Sequence, residues 1–204
     1  QNTLGAELRQ LENKQWEQIT LPHTPFVEPL TVLHQWQGIC YYKKKITITP
    51  EEAKKHIWIE FEGAMHLADV WINGKHVMQH AGGYTPFVVD ATGLLKTGKE
   101  NELLVRLDNR NNSLIPPGKP LETLDFCYYG GIYRNVHLIA KADVHITHPI
   151  LDGHPAGAGI FITYPKVSQE LSVVDAKTEI KNTSDKEKVV ELRHTLILGK
   201  SRKE

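Results

Sequence analysis

Apolar and polar residues alternate with a period of two over several short stretches of this chain. In His56–Glu62, Ile57, Ile59 and Phe61 fall on one face, while Trp58, Glu60 and Glu62 fall on the other. That is the pattern of a strand with one buried face. Asn101–Asp108 sets Leu103, Val105 and Leu107 against Glu102, Leu104 and Arg106 in the same way. Further strands are predicted at Cys40–Ile48, Ala68–Ile72, Lys75–Gln79, Val88-Val89 and Tyr133–Ala140. Asn73-Gly74 stands between two of them. A type I′ turn needs positive φ at both central residues, so this dipeptide predicts a hairpin.

Turn residues punctuate the strands. Pro22, Pro25 and Pro29 predict an extended, irregular path near the start, after a short stretch with Leu4, Leu8 and Leu11 at helical spacing. Residues 109–120 are rich in Asn, Pro and Gly and form a predicted long surface loop, a place where function concentrates. Short strands with almost no helical periodicity predict an all-β fold, a jelly-roll β-sandwich over residues 1–141. The texture changes after residue 141. Val144–Thr147, Ile160–Tyr164, Leu171–Ile180 and Lys188–Leu198 read as strands of an immunoglobulin-like β-sandwich over 142–204. Such a sandwich takes about seven strands, so this second unit is expected to be partial and the chain to stop mid-domain.

Composition excludes more than it assigns. The chain has 204 residues, 40% hydrophobic and 24% charged, which is ordinary globular usage. Lys plus Arg and Asp plus Glu are 24 each, and no basic run stands out. Neither a nucleic acid nor an anionic membrane is expected as a partner. No apolar run approaches the ~20 residues of a membrane span, and no charged and apolar leader opens the chain. Cys40 and Cys127 make neither a disulfide framework nor a zinc set and are expected to be buried thiols. His145 and His148 alone do not make a metal set.

Two segments carry candidate chemistry. In His80–Asp90, Gly82-Gly83-Tyr84-Thr85-Pro86-Phe87 forms a corner whose Tyr84 and Phe87 can cover an open end of the sandwich. In Asp125–Val136, an acidic residue closes the Pro/Gly-rich loop; aromatics, a Gly-Gly turn and a strand follow. Sugar sites use carboxylates flanked by aromatic rings. The carboxylate accepts hydrogen bonds from hydroxyls, and the ring stacks on the apolar C–H face of the pyranose. On spacing alone, Asp125 fits this role or that of a residue capping a turn. Trp36 fits a sugar pocket or a core equally.

Five segments in order carry a resemblance: Leu21-Pro22-His23-Thr24, Gly38-Ile39-Cys40-Tyr41-Tyr42-Lys43-Lys44, Trp71-Ile72-Asn73-Gly74, His80 to Phe87 with Gly-Gly-Tyr-Thr-Pro-Phe, and Asp125 to Val136 with Gly-Gly-Ile-Tyr-Arg-Asn-Val. Over residues 19–140 the chain resembles the amino-terminal sugar-binding domain of glycoside hydrolase family 2, the β-galactosidase/β-glucuronidase family. From 142 onward it is similar to the family's immunoglobulin-like domain in position and texture only.

The resemblance implies a non-catalytic part of a retaining β-glycosidase, β-galactosidase-like, acting on a carbohydrate substrate. Two glutamates in a (β/α)8 barrel elsewhere in the protein would do the chemistry, and retaining enzymes set such carboxyls about 5 Å apart. No counterpart of the family's Asn-Glu motif stands here; Asn101-Glu102 lies inside a predicted strand. These residues alone are therefore expected to be inactive and to contribute no catalytic residue. Asp125 matches the family's Asp before the Gly-Ile-x-Arg strand, which implies a substrate-binding carboxylate that positions the terminal sugar's hydroxyls. No cofactor is implied beyond a monovalent cation near Asp125 in the complete enzyme. A homo-oligomer is compatible with the resemblance. Arg134 is expected to be a buried structural tie. The rival readings are a stand-alone carbohydrate-binding module without hydrolase activity and a purely structural buttress.

Overall fold

The computed structural model of the protein describes residues 11, 14–26, 35–127, 129–154 and 158–197. Leu4, Leu8 and Pro29 lie outside them, so of the predicted helical stretch's three leucines only Leu11 is described. The fold is all-β, with eleven strands among the described residues. The first seven are β1 (Ile39–Thr47), β2 (His56–Phe61), β3 (Leu67–Ile72), β4 (Lys75–Ala81), β5 (Phe87–Asp90), β6 (Glu100–Asp108) and β7 (Val136–Lys141). They form two antiparallel sheets, ordered β1-β6-β3-β4 and β5-β2-β7.

The predicted alternation is what packs these sheets face to face. Ile57, Ile59 and Phe61 of β2 join Val70, Ile72, Leu103, Val105 and Leu107 of the other sheet in one core cluster. Phe61 is wholly buried and stacks on Phe87, ring centroids 4.5 Å apart. Each such side chain stabilises the fold by about 1.5–3 kcal/mol through removal from water. The hairpin forms where Asn73-Gly74 predicts it: Asn73 has φ 52° and Gly74 φ 78° between β3 and β4. The Asn73 amide also reaches Asn101, which is fully buried and satisfies backbone groups of Ile46, Lys96 and Lys99. A buried amide with every hydrogen bond made is tolerated where an unpaired one is not.

Four strands follow: β8 (Val144–Ile146), β9 (Ile160–Val167), β10 (Ser172–Thr178) and β11 (Ile180–Asn182). They pair only as β8-β11 and β9-β10. The stretch predicted as one strand over Leu171–Ile180 is broken at Glu179 and divided between both pairs. The strand predicted at Lys188–Leu198 is absent over the described residues 188–197, which are irregular. Its alternation is real, but Val189 is 98% exposed and Leu196 86%. No strand among the described residues bonds its backbone groups, and without such a neighbour an alternating pattern does not become a strand.

The polar face of β2 departs from expectation. Trp58 was assigned to an outward face, yet it is only 5% exposed. The rings of His145 and His148 meet it edge-on at 5.3 and 5.5 Å. His148 also faces Glu60 at 3.6 Å, and His56 bonds Thr183 at 2.7 Å. The later strands thus cover the outside of the β5-β2-β7 sheet.

Candidate functional site

The candidate site lies at one end of the two sheets, on the long segment between β6 and β7. Its entry is fixed by charge. Asp108, the last residue of β6, accepts from the Arg110 guanidinium at 2.9 and 2.6 Å and from the Arg110 amide at 3.1 Å. Arg106 approaches the same carboxylate at 3.4 Å and Asp69 at 3.6 Å. Burial alone would raise the Asp108 carboxyl, but the Arg110 hydrogen bonds and the two arginine charges carry it below its ordinary value. His66, nearly inaccessible beside this cluster, is pushed below the usual histidine value by burial, against a smaller pull from Asp108. A shallow cleft of about 340 Å³ opens between His66, Asp108, Arg110 and Asn111.

Two asparagines carry the order into the loop. Asn109, 1% exposed, accepts from the Gly38 amide at 2.8 Å and donates to the Trp36 carbonyl at 3.0 Å. Asn111 accepts from the Leu121 amide at 2.9 Å and from the Gln37 side chain at 2.7 Å. Leu121 opens a short 3-10 turn, Leu121–Thr123. Leu121 and Leu124 are buried with Met65 and Tyr133 in a second, small apolar cluster. Tyr133 also donates its hydroxyl to the Gly83 carbonyl, which joins the Gly82–Phe87 corner to this segment. At Gly131, φ is 104°, and a Cβ there would lie 2.6 Å from both the His23 carbonyl and the Tyr42 hydroxyl. Only glycine meets both demands.

Asp125 follows this anchored turn directly. It is exposed, and none of the described residues forms a hydrogen bond or ion pair with it. A turn-capping Asp would spend its carboxylate on backbone amides. This carboxylate is instead presented to solvent, with exposed Phe126 next to it. Tyr84 is 54% exposed at the neighbouring corner, and its partial burial, with a smaller contribution from Tyr133, raises its phenol above the ordinary value.

Residues 13–142 match the family described as glycosyl hydrolases family 2, sugar binding domain. This chain belongs to glycoside hydrolase family 2. It is 32% identical over 190 residues to a β-glucuronidase of Formosa agariphila, covering 87% of this chain and 19% of that protein. A β-galactosidase of Thermoanaerobacter pseudethanolicus is 34% identical over 177 residues, covering 84% of this chain and 24% of that protein. Among solved structures, Bacteroides uniformis β-glucuronidase 2, covalently bound to cyclophellitol-6-carboxylate aziridine, superimposes with a TM-score of 0.68. It shares 32% identity and covers 83% of this chain and 19% of that one. The chain therefore spans roughly a fifth to a quarter of the length of these relatives.

Within this family 2 chain, the residues singled out in the sequence separate. Phe87 is buried and stacks on Phe61 and His80, so it closes that end of the core, whereas Tyr84 stays outside. Arg134 is exposed rather than buried and lies over the Tyr133 ring at 6.0 Å. Trp36 is half-buried, stacked on Phe26 and packed against Gly38 and Gly130. Cys40 and Cys127 are half-buried rather than fully buried. Burial pushes the Cys40 thiol up to about 12, offset only in part by the Tyr42 hydroxyl. Tyr128 lies outside the described residues. Sequence reading missed Asn109 and Asn111. Both were absorbed into a loop defined by composition, and no local pattern distinguishes an Asn that staples distant segments from one that favours a turn.

A larger cavity, about 1220 Å³, opens elsewhere, between the β1 and β7 edges. Trp16, Leu21, Tyr42, Ile59, Phe61 and Leu138 line it; Asp125 does not. Its wall mixes core residues such as Ile59, Phe61 and Val105 with polar ones such as Lys14, Glu17 and Lys43.

Proposed function

We propose that this chain forms the amino-terminal, non-catalytic part of a retaining β-glycosidase of the β-galactosidase type. A jelly roll over 1–141 would be followed by a partial immunoglobulin-like unit over 142–204. A catalytic barrel outside these residues would supply the acid/base and nucleophilic glutamates. Asp125 is the substrate-positioning residue: its carboxylate accepts hydrogen bonds from hydroxyls of the terminal sugar and holds the ring while the barrel acts. The observation that carries this reading is the solvent-facing, unengaged carboxylate of Asp125 on an otherwise anchored segment. The family match over the same segment supports it, as do relatives that are β-glucuronidases and β-galactosidases.

A monovalent cation near Asp125 finds one carboxylate here, and the described residues hold no group of three His, Cys, Asp or Glu side chains fit for a metal ion. One carboxylate is not a binding cage, so no step is assigned to such an ion.

The test is Asp125→Asn in the full-length enzyme, assayed on chromogenic galactosides, glucuronides and mannosides. Turnover on the preferred glycoside falls by about a hundredfold, with the thermal midpoint unchanged because no described residue bonds to the carboxylate. Unchanged turnover on every glycoside would overturn the assignment. Preference for the glucuronide would move the protein from the galactosidase to the glucuronidase type.

A further inference from the structure

Among the described residues no hydrogen bond or ion pair holds the Asp125 side chain, so its position follows the backbone on either side. On the carboxyl side, Asn109 presses its carboxamide against Gly130: a Cβ at Gly130 would lie 2.9 Å from the Asn109 nitrogen. On the amino side, Asn111 receives the Leu121 amide at 2.9 Å, four residues before Asp125. The same Asn111 oxygen receives Gln37 at 2.7 Å, and its nitrogen approaches the Glu122 carboxylate at 3.4 Å. The two asparagines thus tie the residues just before β1 to both sides of the Asp125 segment.

They differ in one decisive respect. Asn109 is buried and satisfies backbone groups, so its loss threatens the fold. Asn111 is exposed. An exposed side chain that reaches three partners in two segments contributes little to the core, and its contacts converge on the turn that leads into Asp125. Backbone placement of a carboxylate matters because a displacement of about 1 Å in a positioned group can cost about a hundredfold in rate.

We propose that Asn111 is a positioning residue for substrate, acting through the Leu121–Thr123 turn to fix the Asp125 carboxylate, with Gln37 as its support. This rests on the reading of Asp125 as a sugar-binding carboxylate.

The test is a double-mutant cycle in the full-length enzyme, with kcat/KM measured on the preferred chromogenic glycoside. Asn111→Ala lowers kcat/KM by about tenfold in the wild-type background, a fraction of the full misplacement cost. In the Asp125→Asn background the same change has almost no further effect, because the group being positioned is already lost. Gln37→Ala gives a smaller loss with the same dependence on Asp125, and it carries the test if Asn111→Ala fails to fold. Equal losses in both backgrounds would overturn the proposal and make Asn111 merely structural, as would no loss in either. If Asp125→Asn alone leaves activity intact, the reading of Asp125 fails first and the positioning role falls with it. A large Asp125→Asn effect without coupling to Asn111 or Gln37 overturns only the present inference.

Discussion

The strands up to Lys141 and those from Val144 onward share one kind of sequence pattern but not one kind of packing. In β2, Ile57, Ile59 and Phe61 are at most 2% exposed, because the β1-β6-β3-β4 sheet lies against them. In β9, Ile160 and Ile162 are 58% and 49% exposed and Tyr164 64%, although five of its eight residues are Ile, Phe, Tyr or Val. Its partner β10 leaves Val173 and Val174 about as open, at 39% and 41%. Hydrogen bonding between two strands satisfies their backbones in both regions. Only a second layer removes the side chains from water, and that removal is where most of the stability resides. Among the described residues, these apolar side chains of β9 and β10 remain open to solvent.

The sharpest way to break this comparison is truncation on each side of it. Phe61→Ala should cost about 3–5 kcal/mol, read as a lowered denaturant midpoint, because it removes a wholly buried ring stacked on Phe87 in the core. Ile162→Ala should stay within about 0.5 kcal/mol. Comparable losses at the two positions would mean that β9 is covered and the contrast is false.

Acid should act chiefly on the first region, with a smaller effect. His66 is held below its unfolded value near 6.5, so its contribution is complete above that pH and declines as pH falls towards its lower folded value. Asp108 is also depressed; its contribution is present above about pH 4 and is lost as pH falls through the folded value. The urea midpoint, followed by the fluorescence of buried Trp58 and Trp71, should therefore fall between pH 7 and pH 5 and again below pH 4. A flat profile over the upper interval would mean that His66 is not held neutral by the fold.

The smallest effect concerns thiol chemistry. Cys40, with its thiol pushed up to about 12, should react with iodoacetamide at pH 8 far more slowly than a model thiol, since the thiolate is the nucleophile. Mass spectrometry of the modified peptide reads this directly. Rapid labelling of Cys40 in the folded protein would show that the β1 edge opens.

Local rules were enough for much of this molecule. Alternation determined β2 and β6, and Asn73-Gly74 determined a hairpin, because period-two burial and positive φ are properties of a few adjacent residues. The order of the short motifs determined the family, and the acidic residue ahead of Gly130-Gly131 marked Asp125 as the candidate. Tertiary structure decided what adjacency cannot express. It buried Trp58 under His145 of β8 and His148 just after it, left Arg134 outside, and denied Lys188–Leu198 a neighbour over its described residues. It also turned two unremarkable loop asparagines into staples, because a hydrogen bond across 71 or 74 positions of chain leaves no local trace. Burial and long-range hydrogen bonding depend on which segments meet, and that is settled only when both sheets and the loop between β6 and β7 are in place.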